Sequence, residues 1–111
     1  MISPLIFINI ISPHVERIEI RIPQPGKVEA VQAKRDSNGG WARVQGVERA
    51  AVKEIIEIAL PFRMLEVSAN EEVQFVVSVC RGEEEIERWP ARGCLSFEVP
   101  TEEFDAIRWC V

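Results

Sequence analysis

Apolar and polar residues alternate along much of this chain, and the alternation predicts β-strands. In the clearest case, VERIEIRIP, the apolar residues are Val15, Ile18, Ile20 and Ile22, and Glu19 and Arg21 lie between the last three. Successive side chains of a strand point to opposite faces, so a period of two gives one apolar and one polar face. This stretch is predicted to be a half-buried strand with one wet face.

Two neighbouring stretches also read as strands. The opening MISPLIFINIISP is apolar, but no basic region precedes it, no small-residue cleavage site follows it, and its longest apolar run is far shorter than the ~20 residues that span a bilayer. It is predicted to be the first strand rather than a leader or an anchor. The stretch KVEAVQAK resumes the alternation, with Val28, Ala30 and Gln32 on one face.

Turn signals divide the chain into hairpins. RDSNGGW is the strongest signal, because asparagine and glycine adopt positive φ at little steric cost, and it predicts a hairpin tip with Trp41 beginning the return strand. A second hairpin is predicted around Gly82, between VQFVVSVC and EEIERW. CLSFEVP alternates again, and Pro100 ends it.

The segment EIIEIALPFRMLEV is compatible with a helix or a strand. A helix accounts better for the apolar residues that precede it, whereas Ile56, Ile58 and Leu60 alternate as in a strand and Pro61 removes a backbone donor. Every neighbouring segment reads as a strand, which favours the strand here too. The prediction is a strand, a proline corner and a short turn that seats Met64 and Leu65 in the core.

The strands together predict an all-β fold. With 111 residues, 47% of them hydrophobic, the chain is expected to form one β-sandwich domain over residues 1–111. We expect an antiparallel sandwich of roughly seven to nine strands, immunoglobulin-like or jelly-roll in outline.

Charge and cysteine content narrow the classes of function. The net charge of −5, with both signs interspersed, gives no basic patch for phosphates, so nucleic acid is not an expected partner. Because the apolar run of the opening is too short to span a bilayer, a membrane is not an expected partner either. The three cysteines are an odd number without a Cys-x-x-Cys pair, which argues against a disulfide framework and a zinc site. A reducing, cytoplasmic setting is expected.

Three stretches follow one another in the second half of the chain: IIEIALPFRMLEV, NEEVQFVVSVCRGEEEIERWPARGCLSFEVP and EEFDAIRWCV. They contain ALPF before a one-turn RML, EEVQF at a strand start, and ERWPARG before a strand and an acidic Phe-Asp end. In this order they resemble the C-terminal domain of glycoside hydrolase family 57 proteins, which act on α-glucans such as starch and glycogen. The order of elements is also similar to that of DOMON-like sandwiches and family 9 carbohydrate-binding modules.

The resemblance implies an accessory module rather than a catalyst. The (β/α) barrel that holds the family's catalytic carboxylates does not fit this sequence, which is too short for it and has no alternating βαβ pattern. The resemblance implies that residues 1–111 are the C-terminal part of a larger enzyme. The implied role is a non-catalytic accessory domain of an α-glucan-active glycoside hydrolase, with its own catalytic domain and an α-glucan as partners. The alternative is a structural or interaction domain that packs on a catalytic barrel or another subunit without binding a ligand.

Tryptophan residues are the candidates for carbohydrate binding, because indole rings stack on the flat C–H faces of sugars. The chain has no tyrosine, and the candidate set is Trp41, Trp89, Arg43, Arg88 and Arg92, with the arginines as partners for hydroxyls. Packing at the core or a sheet edge is the alternative use of both tryptophans. Trp109 is predicted to hold the C-terminal tail against the sandwich.

Other polar residues are expected to be structural or solvated, so no catalytic residue, metal site or cofactor is predicted. Two acidic clusters lack the spacing of a calcium loop: Glu83, Glu84, Glu85 and Glu87, and Glu102, Glu103 and Asp105. Some DOMON-like domains bind haem through a methionine and a histidine, and His14 and Met64 would be the corresponding residues here. The favoured roles are a loop histidine for His14 and a core methionine for Met64.

Overall fold

The computed structural model describes residues 4–52, 56–100 and 106–110, with Glu57 and residues 106–110 described through their backbone. These residues form ten strands: β1 Leu5–Ser12, β2 Glu16–Gln24, β3 Lys27–Arg35, β4 Trp41–Gly46, β5 Arg49–Val52, β6 Ile56–Pro61, β7 Glu72–Arg81, β8 Glu84–Trp89, β9 Leu95–Glu98 and β10 Ala106–Cys110. No helix in this part of the chain is long and apolar enough to cross a membrane.

The strands form two antiparallel sheets. The large sheet has the order β4-β3-β2-β1-β7-β8. Strand β9 pairs with the first half of β7 and β8 with the second half, so β8 and β9 follow one another along the edge of β7 that faces away from β1. The small sheet has the order β10-β6-β5. Strands β1 to β4 are a meander of consecutive neighbours, after which the chain enters the small sheet and returns to pair β7 with β1. The prediction of an all-β antiparallel sandwich is confirmed, with ten strands in the described residues rather than seven to nine.

The core lies between the inward faces of the two sheets. Alternate residues of β1 and β2, such as Ile8 and Ile18, are completely buried, and Ile58 and Leu60 of β6 belong to the same hydrophobic cluster. Removing these side chains from water is the main favourable contribution to folding, at ~25 cal/mol per Å² of apolar surface.

The segment that is ambiguous in sequence is a strand followed by a turn, as predicted. Strand β6 ends at Pro61, and the amide of Met64 donates to the carbonyl O of Pro61 over 3.0 Å. Leu65 donates to the carbonyl O of Phe62 over 3.1 Å, and its side chain is 1% exposed. Met64 is half-buried and packs against the core cluster, so the turn closes this end of the sandwich.

The turn between β3 and β4 shows why its sequence is a strong hairpin signal. Oδ1 of Asp36 accepts hydrogen bonds from the amides of Asn38, over 2.9 Å, and Gly40, over 2.8 Å. Gly39 has φ +80°, a conformation that glycine adopts without steric cost. The predicted hairpins at this turn and at Gly82 are both confirmed.

The predicted apolar and wet faces of β2 are wrong at three residues. Val15 precedes the strand and is 55% exposed, whereas the side chain of Glu16 is buried on the face that carries Ile18. On the opposite face Glu19 is only 7% exposed. Charged residues of β2 are therefore buried on both sides of the sheet, which requires partners for each of them.

Replacing Ile58 by alanine is expected to lower the free energy of unfolding by about 2–5 kcal/mol, because it leaves a cavity at a fully buried position. Val44→Ala is the matched control, since Val44 is 53% exposed and its truncation is expected to cost no more than ~0.5 kcal/mol. Urea unfolding of the three proteins measures both values. Equal effects of the two substitutions would contradict this placement of the core.

Candidate functional site

The five predicted carbohydrate contacts lie in two groups, at opposite edges of the large sheet. Trp41 and Arg43 belong to β4, whereas Arg88 and Trp89 end β8 and Arg92 lies in the turn after it. The order β4-β3-β2-β1-β7-β8 puts five strand spacings between the groups. At about 4.8 Å per spacing the edges are roughly 24 Å apart, so the two tryptophans do not form one site.

Trp41 is half-buried against cations on the outer face of the large sheet. The guanidinium carbons of Arg17 and Arg35 lie over its ring, 4.4 and 4.3 Å from the ring centroid. Arg17 also lies over the ring of Phe7, at 4.4 Å. These are cation–π contacts, and they already occupy the ring surface that a sugar would need.

Arg43 is also engaged, because it shares the carboxylate of Glu19 with Arg17. Arg43 donates to Oε1 of Glu19 from Nε over 3.1 Å, and its Nη2 is 3.0 Å from the same oxygen. Arg17 contacts Oε2 at 2.9 and 2.8 Å in the same way. Two guanidiniums on one buried carboxylate satisfy its lone pairs and neutralise its charge. The cluster of Glu19, Arg17, Arg43 and Trp41 therefore holds the outer face together.

Trp89 is in a different situation, since its side chain is 60% exposed. Its indole Nε1 donates to Oε2 of Glu87 over 3.2 Å, which orients the ring. Arg88 donates to the carbonyl O of Pro90, over 2.5 Å, and of Gly93, over 2.8 Å. Arg88 thus fixes the turn after β8 and presents Trp89, while Arg92 in that turn is exposed.

Leu95 extends the exposed surface at this edge. Trp89 pairs with Val77, and Leu95 pairs with Phe75, two residues earlier on the same strand. Residues two apart on a strand lie on one face, about 7 Å from each other, so the side chains of Trp89 and Leu95 also lie on one face and close together. Leu95 is 43% exposed. We call Trp89 and Leu95, with Glu87, Arg88 and Arg92, the Trp89 edge.

A buried polar network lies on the inner face, where β2 and β3 meet the turn after β6. Gln32 is completely buried, and its Nε2 donates to Oε1 of Glu16 and to the carbonyl O of Met64, both over 2.8 Å. Gln45 of β4 donates through Nε2 to Oε1 of Gln32 over 2.7 Å. Burial raises the pKa of Glu16 above its ordinary value, and the hydrogen bond from Gln32 and the charge of Lys34 offset part of this rise.

Beside this network lies a pocket of about 400 Å³. Its lining residues come from the end of β4, the start of β5, strand β6 and the turn after it: Gln45, Gly46, Glu48, Arg49, Ala59, Pro61, Arg63 and Met64. Gln45 and Met64 belong both to the lining and to the network around Gln32. The sequence patterns do not point to this pocket, because its lining combines segments that only the fold brings together.

The remaining candidate residues have structural roles or lie outside the described chain. In residues 4–52, 56–100 and 106–110, no three His, Cys, Asp or Glu side chains are placed to hold a metal. The cluster around Glu84 is exposed, and Glu102, Glu103 and Asp105 lie outside the described residues. The side chain of Trp109 lies outside them too. Nε2 of His14 is 3.1 Å from the carbonyl O of Glu66.

No family model, curated protein or solved structure matches the chain. The resemblance to accessory domains of glycoside hydrolase family 57 therefore stays a prediction that stands on its residues alone.

Glu16→Gln is expected to remove a component of the pH dependence of stability. The raised pKa means that the folded chain keeps the Glu16 proton to a higher pH than the unfolded chain does. Between pH 4.5, the ordinary pKa of the group, and its raised pKa in the folded chain, Glu16 therefore makes the free energy of unfolding fall as pH rises. The variant keeps an acceptor for Gln32, but it has no carboxyl group that titrates. We expect that this decrease in stability with rising pH disappears and that the variant is at least as stable as the wild type at neutral pH.

The measurement is urea unfolding from about pH 4 to pH 8. Glu29→Gln is the control, since Glu29 is an exposed carboxyl on the neighbouring strand and its replacement should leave the fall in place. A Glu16→Gln variant that is less stable than the wild type at neutral pH, with an unchanged pH dependence, would contradict the assignment.

Proposed function

We propose that this chain is a non-catalytic accessory module that binds carbohydrate at the Trp89 edge, with an α-glucan as the ligand. The observation that carries the proposal is the 60% exposure of Trp89 on a turn fixed by Arg88. Trp89 and Leu95 together form an exposed apolar surface, and contiguous exposed apolar surfaces mark interaction and ligand-binding sites.

The chemistry of the Trp89 edge suits a sugar ring. The indole offers a flat apolar surface for the C–H face of a glucose unit, and Glu87 and Arg92 are polar groups within the same turn region that accept from or donate to hydroxyls. Arg88 is bonded to backbone carbonyls, so its role in the proposal is to hold the turn. A surface that is already ordered loses less conformational entropy on binding.

The setting follows from the resemblance. The accessory role places the module beside its own catalytic domain in an α-glucan-active glycoside hydrolase, without a cofactor of its own. Cys80 and Cys94 are free thiols, which supports the cytoplasmic location in the proposal.

A second candidate function is docking of the same edge on the catalytic domain or on another subunit. Leu95 favours it, because an exposed leucine adds apolar area that a protein partner buries and a sugar uses little. The two candidates differ in the residues on which they depend, so substitution of Trp89 and Leu95 separates them.

Trp89→Ala is expected to weaken binding of a soluble α-glucan such as glycogen at least roughly tenfold, or ~1.4 kcal/mol, because the stacking surface is lost. Leu95→Ala is expected to change the affinity less than twofold. Ile86→Ala is the matched control, an exposed apolar residue of the same strand at 44% exposure. Affinity electrophoresis in glycogen-containing gels and titration followed by tryptophan fluorescence measure the effect.

Failure of the wild-type chain to bind starch, glycogen or maltooligosaccharides would overturn carbohydrate binding. Loss of association with the catalytic domain in both Trp89→Ala and Leu95→Ala, without any glucan affinity, would instead identify the edge as a docking surface.

A further inference from the structure

We infer that the pocket between β4, β5 and β6, here called the Arg49–Arg63 pocket, binds a small hydroxylated anion that carries a phosphate or carboxylate group. This site is separate from the Trp89 edge and goes beyond the proposed carbohydrate binding.

The size and floor of the pocket suit a small molecule. Its volume of about 400 Å³ falls in the range of small-molecule sites, roughly 300–1,000 Å³. Ala59, in the central strand of the small sheet, and Gly46, at the end of β4, are small residues in its lining. A Cβ added to Gly46 would meet only the carbonyl O of Ala30, at 3.9 Å, so the space beside this residue is open.

Two guanidinium groups line this one pocket with their donors unused. Arg49 and Arg63 are both exposed, and neither guanidinium forms an ion pair or hydrogen bond with the described part of the chain. Four other arginines of the described chain are engaged: Arg17 and Arg43 bind Glu19, and Arg35 and Arg88 bind carbonyl groups. Arg81 and Arg92 are exposed like Arg49 and Arg63 but do not line this pocket. A guanidinium stays protonated at all physiological pH values, and its fork of N–H donors matches the oxygens of a phosphate or carboxylate.

The acceptors in the lining restrict the ligand further. Glu48 is the single carboxylate among the described lining residues, so the two arginines leave one net positive charge. Gln45 uses Nε2 on Gln32, which leaves its Oε1 as an acceptor. A ligand that also carries hydroxyl groups satisfies Glu48 and Gln45 while its anionic group binds the arginines. Sugar phosphates and small hydroxy acids share this chemistry.

Hydrogen bonds connect two parts of the pocket lining. Gln45 and Met64 are both hydrogen-bonded to the buried side chain of Gln32, so two sides of the lining keep their separation without a ligand. A preorganised pocket binds without the cost of ordering its own walls.

Isothermal titration of the whole chain at low salt tests the inference with four probes: glucose 6-phosphate, citrate, inorganic phosphate and glucose. We expect glucose 6-phosphate or citrate to bind more tightly than phosphate, and glucose not to bind at this pocket. Arg49→Gln and Arg63→Gln are each expected to weaken binding roughly tenfold or more, and Arg63→Lys is expected to be intermediate because it keeps the charge without the fork. Binding is also expected to weaken as salt rises.

Arg81→Gln is the control, an exposed arginine at the end of β7 outside the pocket. Because Arg49 and Arg63 are exposed, their variants should keep the wild-type unfolding midpoint, which a melting curve verifies. Gly46→Leu gives an independent check, since it fills the open side of the pocket and should abolish binding. Trp89→Ala should leave the binding unchanged, which separates this site from the proposed glucan site.

Three results would overturn the inference. The first is no binding of any of the three anions at concentrations on the order of 10 mM. The second is binding that Arg49→Gln and Arg63→Gln leave unchanged. The third is binding that Arg81→Gln weakens to the same extent, since attraction to surface charge in general would then explain it.

Discussion

The fully buried side chain of Gln32 is the constraint on which the two sheets and the pocket depend. Its three hydrogen bonds join Glu16 of β2, Gln45 of β4 and the backbone of Met64 in the turn after β6. A buried amide that loses its partners costs about 1–3 kcal/mol, so any shift of the turn relative to the large sheet is penalised. Because Gln45 and Met64 also line the pocket, the network that orders the inner face fixes the shape of the pocket too.

The outer face of the large sheet leaves little surface for a ligand. Glu19 draws in Arg17 and Arg43, and Arg17 in turn stacks between Phe7 and Trp41. The aliphatic parts of Arg17 and Arg43 and the rings of Phe7 and Trp41 thus cover the outer face of the sheet. Available surfaces are found instead where strands end: at the Trp89 edge, where β8 and β9 meet the same side of β7, and at the junction of β4, β5 and β6. Both proposals concern such strand ends.

The sequence predicts what depends on near neighbours and misses what depends on strand order. The alternation around Ile58 and the donor missing from Pro61 are local, and they correctly give a strand and a corner. Burial of Glu16 depends on a hydrogen bond from the amide of Gln32, sixteen positions away. The alternation of apolar and polar residues therefore does not predict that this carboxylate is buried. Likewise Trp41 looks like a free ring after a turn, but arginines from β2 and β3 cover it once the register brings them together. The pocket has no local signal for the same reason.

The central claim is that Gln32 holds the turn after β6 against the large sheet, and native-state amide hydrogen exchange tests it most directly. In a Gln32→Met variant the apolar side chain keeps its volume but cannot bond to Met64. The account predicts that protection of the Leu65 and Glu66 amides, which bond within this turn, falls by at least about tenfold more than protection in β1 at the centre of the large sheet. Equal losses in the turn and in β1, or unchanged protection of the turn, would contradict it.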